Sequence, residues 1–401
     1  MEKVKVGVFG AFRGMHLIRA LIGQRDVDIT AVCDRNEALL AQSKDVLDSS
    51  GHKAAFYRDF ESFFQHGMDA VILANYAIEH APYAIRFLES GRHVLSEVLP
   101  VETMGQAVEL VEAVERSGRV YGYAENYCYF PVAVRMKELY RQGAIGGLMY
   151  AEGEYIHDLV DLWPQLTYGD RNHWRNRMYS TYYCTHSLGP VIHATGTRMV
   201  RLTGYETPSA QYMADMGYLG GTAGMIVGQM DNGATVKASQ GWLRRTPSIW
   251  FALYGDQGCL ETDRWKLVES LYHYRHGEEI RTESCAEFEG EPVVSASNIL
   301  TTRHFIAKIL GREDADIVDV YEAMDMALPG ILAYRSILAG NIPVEVPDMR
   351  KPEDREKYRG DNFCTNPAVA GGNLAPVCSF GEPDIPDSVY ERVRALSRQD
   401  R

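Results

Sequence analysis

Tyr183 and His186 stand three residues apart in the run Tyr182-Tyr183-Cys184-Thr185-His186-Ser187-Leu188-Gly189-Pro190. A phenol and an imidazole at that spacing share one face of a helix over 183–195, with Gly189-Pro190 near its first turns. Such a pair can exchange protons with a bound hydroxyl, so both are candidate catalytic residues. A second chemical signal lies far upstream in Val6-Gly7-Val8-Phe9-Gly10-Ala11-Phe12-Arg13-Gly14. A glycine-rich turn between a strand and a helix lets a pyrophosphate reach the free N–H groups of the helix start. Asp34, twenty residues beyond Gly14, ends the next apolar strand. An acid there accepts hydrogen bonds from both ribose hydroxyls and repels a 2′-phosphate, which selects NAD over NADP. The cofactor candidates of this region are Gly7, Gly10, Phe12, Arg13, Gly14, Asp34 and Arg35, with Phe12 standing where a middle glycine is usual.

Further polar residues follow apolar strands. Asn75 follows 70–74, Glu97 closes 93–97, and Glu125 and Asn126 follow 120–124. In a parallel sheet those carboxyl ends face the ligand, so Asn75, Glu97 and Asn126 are assigned to the cofactor and Glu125 to the substrate. His157-Asp158 ends a later strand beside Asp161, and His173 follows on a loop; His157 and Asp158 are candidates for binding the hydroxyl groups of a ligand. Their spacing matches no metal-ligand pattern, and no metal is expected. Arg171, Trp174, Arg175 and Arg177 form a basic-aromatic cluster. Trp174 can stack on a pyranose face, and the Arg175 fork suits a carboxylate or sulfonate. The acids Glu313, Asp314, Asp316 and Asp319 read as a solvated helix start.

The elements that must carry these groups fall into two textures. Over the first 125 residues short apolar runs (3–9, 28–33, 54–57, 70–74, 93–97, 120–124) alternate with helical patterns (16–22, 37–49, 60–66, 77–90, 103–117). That alternation predicts an α/β fold with a Rossmann-type, doubly wound parallel sheet. A helix over 132–142 then leads into longer strands at 148–156, 198–206, 222–230, 235–241, 250–254 and 267–275, with helices at 297–310 and 318–339. Their alternation and turns such as Asp231-Asn232-Gly233 predict an α+β domain with a large open mixed, mostly antiparallel sheet. The expected domains are 1–127 for NAD, 128–347 for substrate, and a Pro/Gly/Asn/Asp-rich tail, 348–401, wrapping the surface or a neighbouring subunit.

Composition narrows the function class. The 401 residues suffice for two cores, and 46% are hydrophobic. A net charge of −13 argues against nucleic acid as a partner. No apolar run approaches the ~18 residues of a membrane span. Seven scattered cysteines form no CxxC pair, and the chain enters a strand at once, so a reducing cytoplasm is expected. Tyrosine is plentiful, 24 in all, and many crowd between Tyr121 and Tyr183, as a cleft for a hydroxyl-rich ligand would use them.

Several local motifs together resemble the Gfo/Idh/MocA family of NAD(P)-dependent sugar oxidoreductases over about residues 3–345. They are the turn through Gly14 with Asp34; Asp69-Ala70-Val71-Ile72-Leu73-Ala74 with His80 beyond; Gly91-Arg92-His93-Val94-Leu95-Ser96-Glu97; Gly143-Ala144-Ile145-Gly146; Thr185-His186-Ser187-Leu188-Gly189; and Leu253-Tyr254-Gly255-Asp256-Gln257-Gly258. The resemblance implies a cofactor contact at His80 and a homodimer or homotetramer acting on a small sugar or glycoside. Two departures define the branch. Family members usually read Glu-Lys-Pro after the His-Val-Leu strand, the lysine being their usual acid or base; here the residues are Glu97-Val98-Leu99-Pro100. The usual aspartate four residues before the second-domain histidine is Tyr182. The run from Tyr182 to Pro190 and Glu125-Asn126-Tyr127-Cys128-Tyr129 are similar instead to the family's NAD-dependent glycosidases, which places Tyr127 with the substrate. That branch implies transient oxidation at sugar C3, loss of the C2 proton, elimination of the glycosidic oxygen, hydration and re-reduction, with net glycosidic cleavage. The alternatives are an NAD-dependent sugar or cyclitol dehydrogenase with another proton relay, and a catalytically inactive sugar- or NAD-binding regulator.

Overall fold

In the computed structural model, which describes residues 3–266 and 268–399, the first six apolar runs pair into one parallel sheet. Its strands are β1 (Val4–Phe9), β2 (Val27–Cys33), β3 (Ala55–Tyr57), β4 (Ala70–Leu73), β5 (His93–Ser96) and β6 (Tyr121–Tyr123), in the order β3-β2-β1-β4-β5-β6. Every neighbouring pair is parallel, so each connection is a crossover through a helix: α1 (Ala11–Ile22), α2 (Glu37–Ser49), α3 (Phe60–Phe64), α4 (His80–Glu89) or α5 (Met104–Ser117). Val6, Val8, Ile29, Val32 and Ile72 are fully buried, because a sheet covered on both faces needs apolar side chains at every position. The strand order reverses between β1 and β4, where a doubly wound sheet opens a crevice for ligand.

α1 begins at Ala11, five residues before the expected start at 16. Gly10 has φ +94° and turns the chain in one residue, and a Cβ there would run into the Ala74 carbonyl. Phe12, Arg13 and Gly14 therefore lie on the first helical turn rather than in a loop. α5 starts and stops as its sequence dictates: the Thr103 side chain accepts from Gln106 N at 3.1 Å, and Gly118 closes the helix in the left-handed region.

The chain divides into two units. The first takes residues 1–133 and adds 286–324 and 349–360, stretches the sequence reading had grouped with the second domain and the tail. A two-stranded ribbon, β15 (Glu287–Phe288) with β16 (Glu291–Pro292), leads into α10 (Val293–Ile309). Phe305 and Ile306 of α10 join the buried cluster of Leu17, Ile18 and Leu21 on α1. Helix α12 (Pro352–Glu356) carries Arg355, 5% exposed, which donates to both Glu115 carboxylate oxygens at 2.6 and 2.7 Å. That short stretch is thereby fastened to α5.

The second unit holds residues 134–285, 325–348 and 361–401. Helix α6 (Pro131–Arg141) leads into it and α11 (Val320–Leu338) re-enters it. Its strands are β7 (Leu148–Ile156), β8 (Met199–Glu206), β9 (Ala223–Met230), β10 (Thr235–Gly241), β11 (Ser248–Gly255), β12 (Gly258–Thr262), β13 (Ser270–Arg275), β14 (Arg281–Ser284) and β17 (Val344–Glu345). They form one sheet, β14-β13-β12-β11-β7-β10-β9-β8-β17, in which only β7 and β10 run parallel. The expected strand at 267–275 starts at Ser270, and Leu267 lies outside the described residues. Short helices α7 (Trp163–Thr167) and α9 (Gln211–Ala214) flank α8 (Thr185–Thr195) in sequence. α8 lies on β7 over Gly153, where a Cβ would collide with the Ser187 carbonyl. Beyond α13 (Pro367–Ala370) the tail forms α14 (Asp387–Gln399), which the sequence reading did not expect; Ile385 and Tyr390 pack with Ala214. No described helix is long and apolar enough to cross a membrane.

Candidate active site

The first unit gathers most of the expected cofactor residues at the carboxyl ends of its parallel strands. Gly10 gives α1 no side-chain cap of its own, its first turn holds no acid, and Asp34 takes only the Ala11 N–H, so the remaining N–H groups of the first turn are left to an anion. Gly7 and Gly14 serve packing: a Cβ at Gly7 would strike Met68 and Phe63, and one at Gly14 would come within 2.8 Å of Val8 Cγ1. Asp34 accepts from Ala11 N at 2.7 Å and from Asn36 N at 2.8 Å, one bond to each carboxylate oxygen. Each oxygen keeps a lone pair for a ribose hydroxyl. Arg35 is exposed beside it, and Phe12 is 50% exposed.

At the end of β4, Asn75 donates to Glu79 at 3.2 Å, and its buried Oδ1 makes no hydrogen bond among the described residues. A buried unpaired acceptor calls for a missing donor. The remaining N–H groups of α1, the Gly10 turn and this acceptor together fit a dinucleotide. Glu97, 4% exposed, meets Arg13 Nε through Oε1 at 2.8 Å. Asn126 donates to Ser297 Oγ on α10 at 3.3 Å, Glu125 caps the turn at Tyr127 N, and Tyr127 stacks on Phe130.

His80 departs from its expected cofactor contact. Its ring is 1% exposed, with Nδ1 at 2.8 Å from the Leu99 carbonyl and Nε2 at 3.3 Å from that of Asn75. Both nitrogens face main-chain oxygens, so the imidazole braces the segments bearing Asn75 and Glu97. Burial outweighs those acceptors and pushes its pKa down to about 4.

The second unit holds the candidate proton carriers. Tyr183 lies before the helix rather than on it, since α8 begins at Thr185 with Cys184 as its N-cap. The two rings still meet edge-on, with centroids 5.3 Å apart. Tyr155, which the sequence reading passed over, completes the group. It lies 4.8 Å from the His186 ring and 6.3 Å from Tyr183, and its hydroxyl is 3.4 Å from His157 Nδ1. The alternation of β7 was the available signal, because Ala151, Gly153 and Tyr155 share the face under α8. Trp242, just beyond β10, lies edge-on to both Tyr155 and Tyr183. Burial, then the neighbouring His186, holds His157 below its ordinary pKa.

Arg175 reaches this cluster differently from the expected fork. Its guanidinium lies 4.4 Å over the Trp174 ring and donates to the Tyr183 oxygen at 3.4 Å. Arginine only donates, so the Tyr183 oxygen accepts there and its own proton is directed elsewhere. Trp174 Nε1 is buried and makes no hydrogen bond among the described residues. Asp158 is engaged by Arg244 at 3.2 Å and by Val160 N. Arg171 pairs with Asp387, and Arg177 donates to the Thr365 carbonyl, so neither joins the cluster. The expected substrate residues are thus divided: Glu125 and Tyr127 in the first unit; His157, Asp158, Trp174 and Arg175 in the second.

These features define a two-unit α/β protein with a dinucleotide fold and a buried cluster of aromatic rings and histidines. Comparison with known proteins shows what the chain is similar to. Residues 4–125 match the model of the Gfo/Idh/MocA oxidoreductase family, NAD-binding Rossmann fold. That segment is similar to the NAD-binding Rossmann domain of this family, and the protein is an NAD-dependent enzyme. The chain is 26% identical to glycosyl hydrolase family 109 protein 2 and 25% identical to an alpha-N-acetylgalactosaminidase, both from Bacteroides fragilis. Each alignment covers 84% of this chain and 90% of the relative. Among solved structures, an inositol dehydrogenase homolog from Azotobacter vinelandii complexed with NAD+ shares the fold, with a TM-score of 0.70, 14% identity, and coverage of 86% of this chain and 97% of that one. An oxidoreductase from Agrobacterium radiobacter gives 0.71 at 16% identity, covering 86% and 98%.

Proposed function

We propose that this enzyme cleaves a glycoside by transient oxidation at sugar C3, elimination across C1–C2, hydration and re-reduction. The observation that carries the reading is the cluster of Tyr183, His186 and Tyr155, in a chain that has Val98 where the family's lysine stands. When bound, NAD supplies a reversible two-electron acceptor at C3 and is not consumed over the cycle. The chain's own residues then handle protons. Of His186 and Tyr183, one exchanges the C3 hydroxyl proton while the other takes the proton from C2, which the adjacent ketone has made acidic. Tyr155, in contact with the same imidazole, is placed to protonate the departing glycosidic oxygen. His157, Trp174 and Arg175 hold the sugar beside them. No pair of carboxylates and no oxocarbenium-like state is required, unlike ordinary glycosidases. The names of the relatives support an N-acetylgalactosaminide as the first substrate to try.

The test is incubation with aryl glycosides, aryl α-N-acetylgalactosaminide first, and catalytic NAD+ in deuterated water. Aglycone release without accumulating NADH, with deuterium at C2 of the product, is expected. Stoichiometric NADH with the glycosidic bond intact would establish a sugar or cyclitol dehydrogenase instead. The reading includes a cytoplasmic homodimer or homotetramer, which light scattering of the purified enzyme measures.

A further inference from the structure

Arg13 is the third residue of α1, and its side chain is held at two points. Nε lies 2.8 Å from Glu97 Oε1, and Nη2 donates to Asn298 Oδ1 at 2.9 Å. Both anchors are buried, at 4% exposure for Glu97 and 3% for Asn298, whereas the Arg13 side chain stays 30% exposed. Asn298 is itself fixed, donating Nδ2 to the Val294 carbonyl at 2.8 Å. Its helix is tied to the turn just after α1 by a further bond, from Gln24 Nε2 to Thr302 Oγ1 at 2.7 Å. A guanidinium carries five N–H donors in a rigid plane. One of them, on Nη2, is used in a hydrogen bond, to Asn298; Nε meets Glu97 Oε1 as an ion pair whose geometry is not that of a hydrogen bond, and Nη1 makes no hydrogen bond among the described residues.

The sheet order places the Arg13–Glu97 contact relative to the crevice where a doubly wound sheet binds its ligand. α1 follows β1, Glu97 follows β5, and β4 lies between those strands. The Arg13–Glu97 contact therefore spans the carboxyl end of β4. Asp34, the ribose acceptor, follows β2 on the other side of β1. With the pyrophosphate on the α1 N-terminus and the adenosine toward β2, the nicotinamide half extends over β4.

We propose that Glu97 and Asn298 are positioning residues that aim the free Nη1 edge of Arg13 at the phosphate on the nicotinamide side of the dinucleotide. Glu97 then acts through Arg13 rather than on a ribose hydroxyl, and α10, more than 280 residues downstream, becomes part of the cofactor site. The proposal rests on the binding of NAD and not on the glycoside chemistry. An arginine is needed because a lysine has one donor centre and cannot serve carboxylate, amide and phosphate in one plane.

The test is equilibrium binding to the full-length protein of NAD+, nicotinamide mononucleotide and AMP, by calorimetry or displacement of NADH fluorescence. Arg13→Gln is expected to weaken NAD+ and nicotinamide mononucleotide by about 10- to 100-fold, the worth of one charge-assisted contact, while AMP stays within about twofold. Arg13→Lys should recover less than half of that loss on a logarithmic scale. Asn298→Leu, which keeps Arg13 but frees it, should show the same ligand pattern at about 3- to 10-fold. A merely structural role would weaken AMP equally. Unchanged binding of NAD+ to Arg13→Gln, or an AMP loss matching that of the mononucleotide, overturns the proposal. Wild-type protein that takes up no NAD+ would instead refute the cofactor reading itself.

Discussion

Replacing Tyr183 by phenylalanine removes one oxygen and keeps the ring. The ring packs against His186 at 5.3 Å and Tyr155 at 6.3 Å, and those contacts survive. The lost hydroxyl is 92% buried with its residue but accepts only a long bond from Arg175, at 3.4 Å. Such a bond contributes at most about 1 kcal/mol to stability, and in a chain this long the melting temperature should fall by no more than about 3 °C. Catalysis should respond on another scale. A positioned acid or base contributes about 10²–10⁴-fold, or about 3–5 kcal/mol of barrier. His186→Asn should give a similar loss. The double variant should be little worse than either single one, because both act in one relay. The assay is aglycone release from an aryl glycoside at saturating NAD+, alongside thermal unfolding and NAD+ binding of each variant. A folded, NAD-binding Tyr183→Phe enzyme that retains activity within threefold would refute the assignment of proton transfer to this cluster. Equal collapse of stability and activity would mean that the ring is structural.

Two further outcomes follow from the same coordinates. Burial depresses His80 to about 4 and, with help from Arg175, His173 to about 3. Each stays neutral when folded yet takes a proton near pH 6.5 when unfolded, so the unfolded chain binds more protons between those values. Stability should therefore fall as pH drops below about 6.5, by up to about 1.4 kcal/mol per pH unit for each histidine. His80→Gln should flatten the slope of unfolding free energy against pH between 6.5 and 5; an unaltered slope counts against buried neutral His80. Gly10→Ala should weaken NAD+ at least about tenfold, since φ +94° strains any L side chain and its Cβ meets the Ala74 carbonyl. Fluorescence titration with NADH reads this, and wild-type affinity in the variant would show that the turn has other freedom.

The sequence by itself determined the alternating strand–helix plan and the cofactor class. These follow from local rules: apolar runs of four to seven residues between helical patterns, glycine at the one position of α1's entry where the left-handed region is required, an acid at the end of β2. The α2 limits, the Thr103 cap and the Gly118 stop were legible for the same reason, being set by neighbours in the chain.

Tertiary structure alone decided which distant groups meet. No periodicity relates Arg13 to Asn298, 285 positions away, because that contact depends on α10 packing against α1 through non-local apolar burial. His80 meets carbonyls of Asn75 and Leu99 through its two ring nitrogens, a setting that only the folded chain brings together. Tyr183 reached His186 without a shared helix, and Tyr155 entered from β7, because Gly153 admits α8 onto the sheet at a distance set by backbone contact. Side-chain chemistry is written in residue type, but its geometry comes from burying apolar faces that only the folded chain brings together.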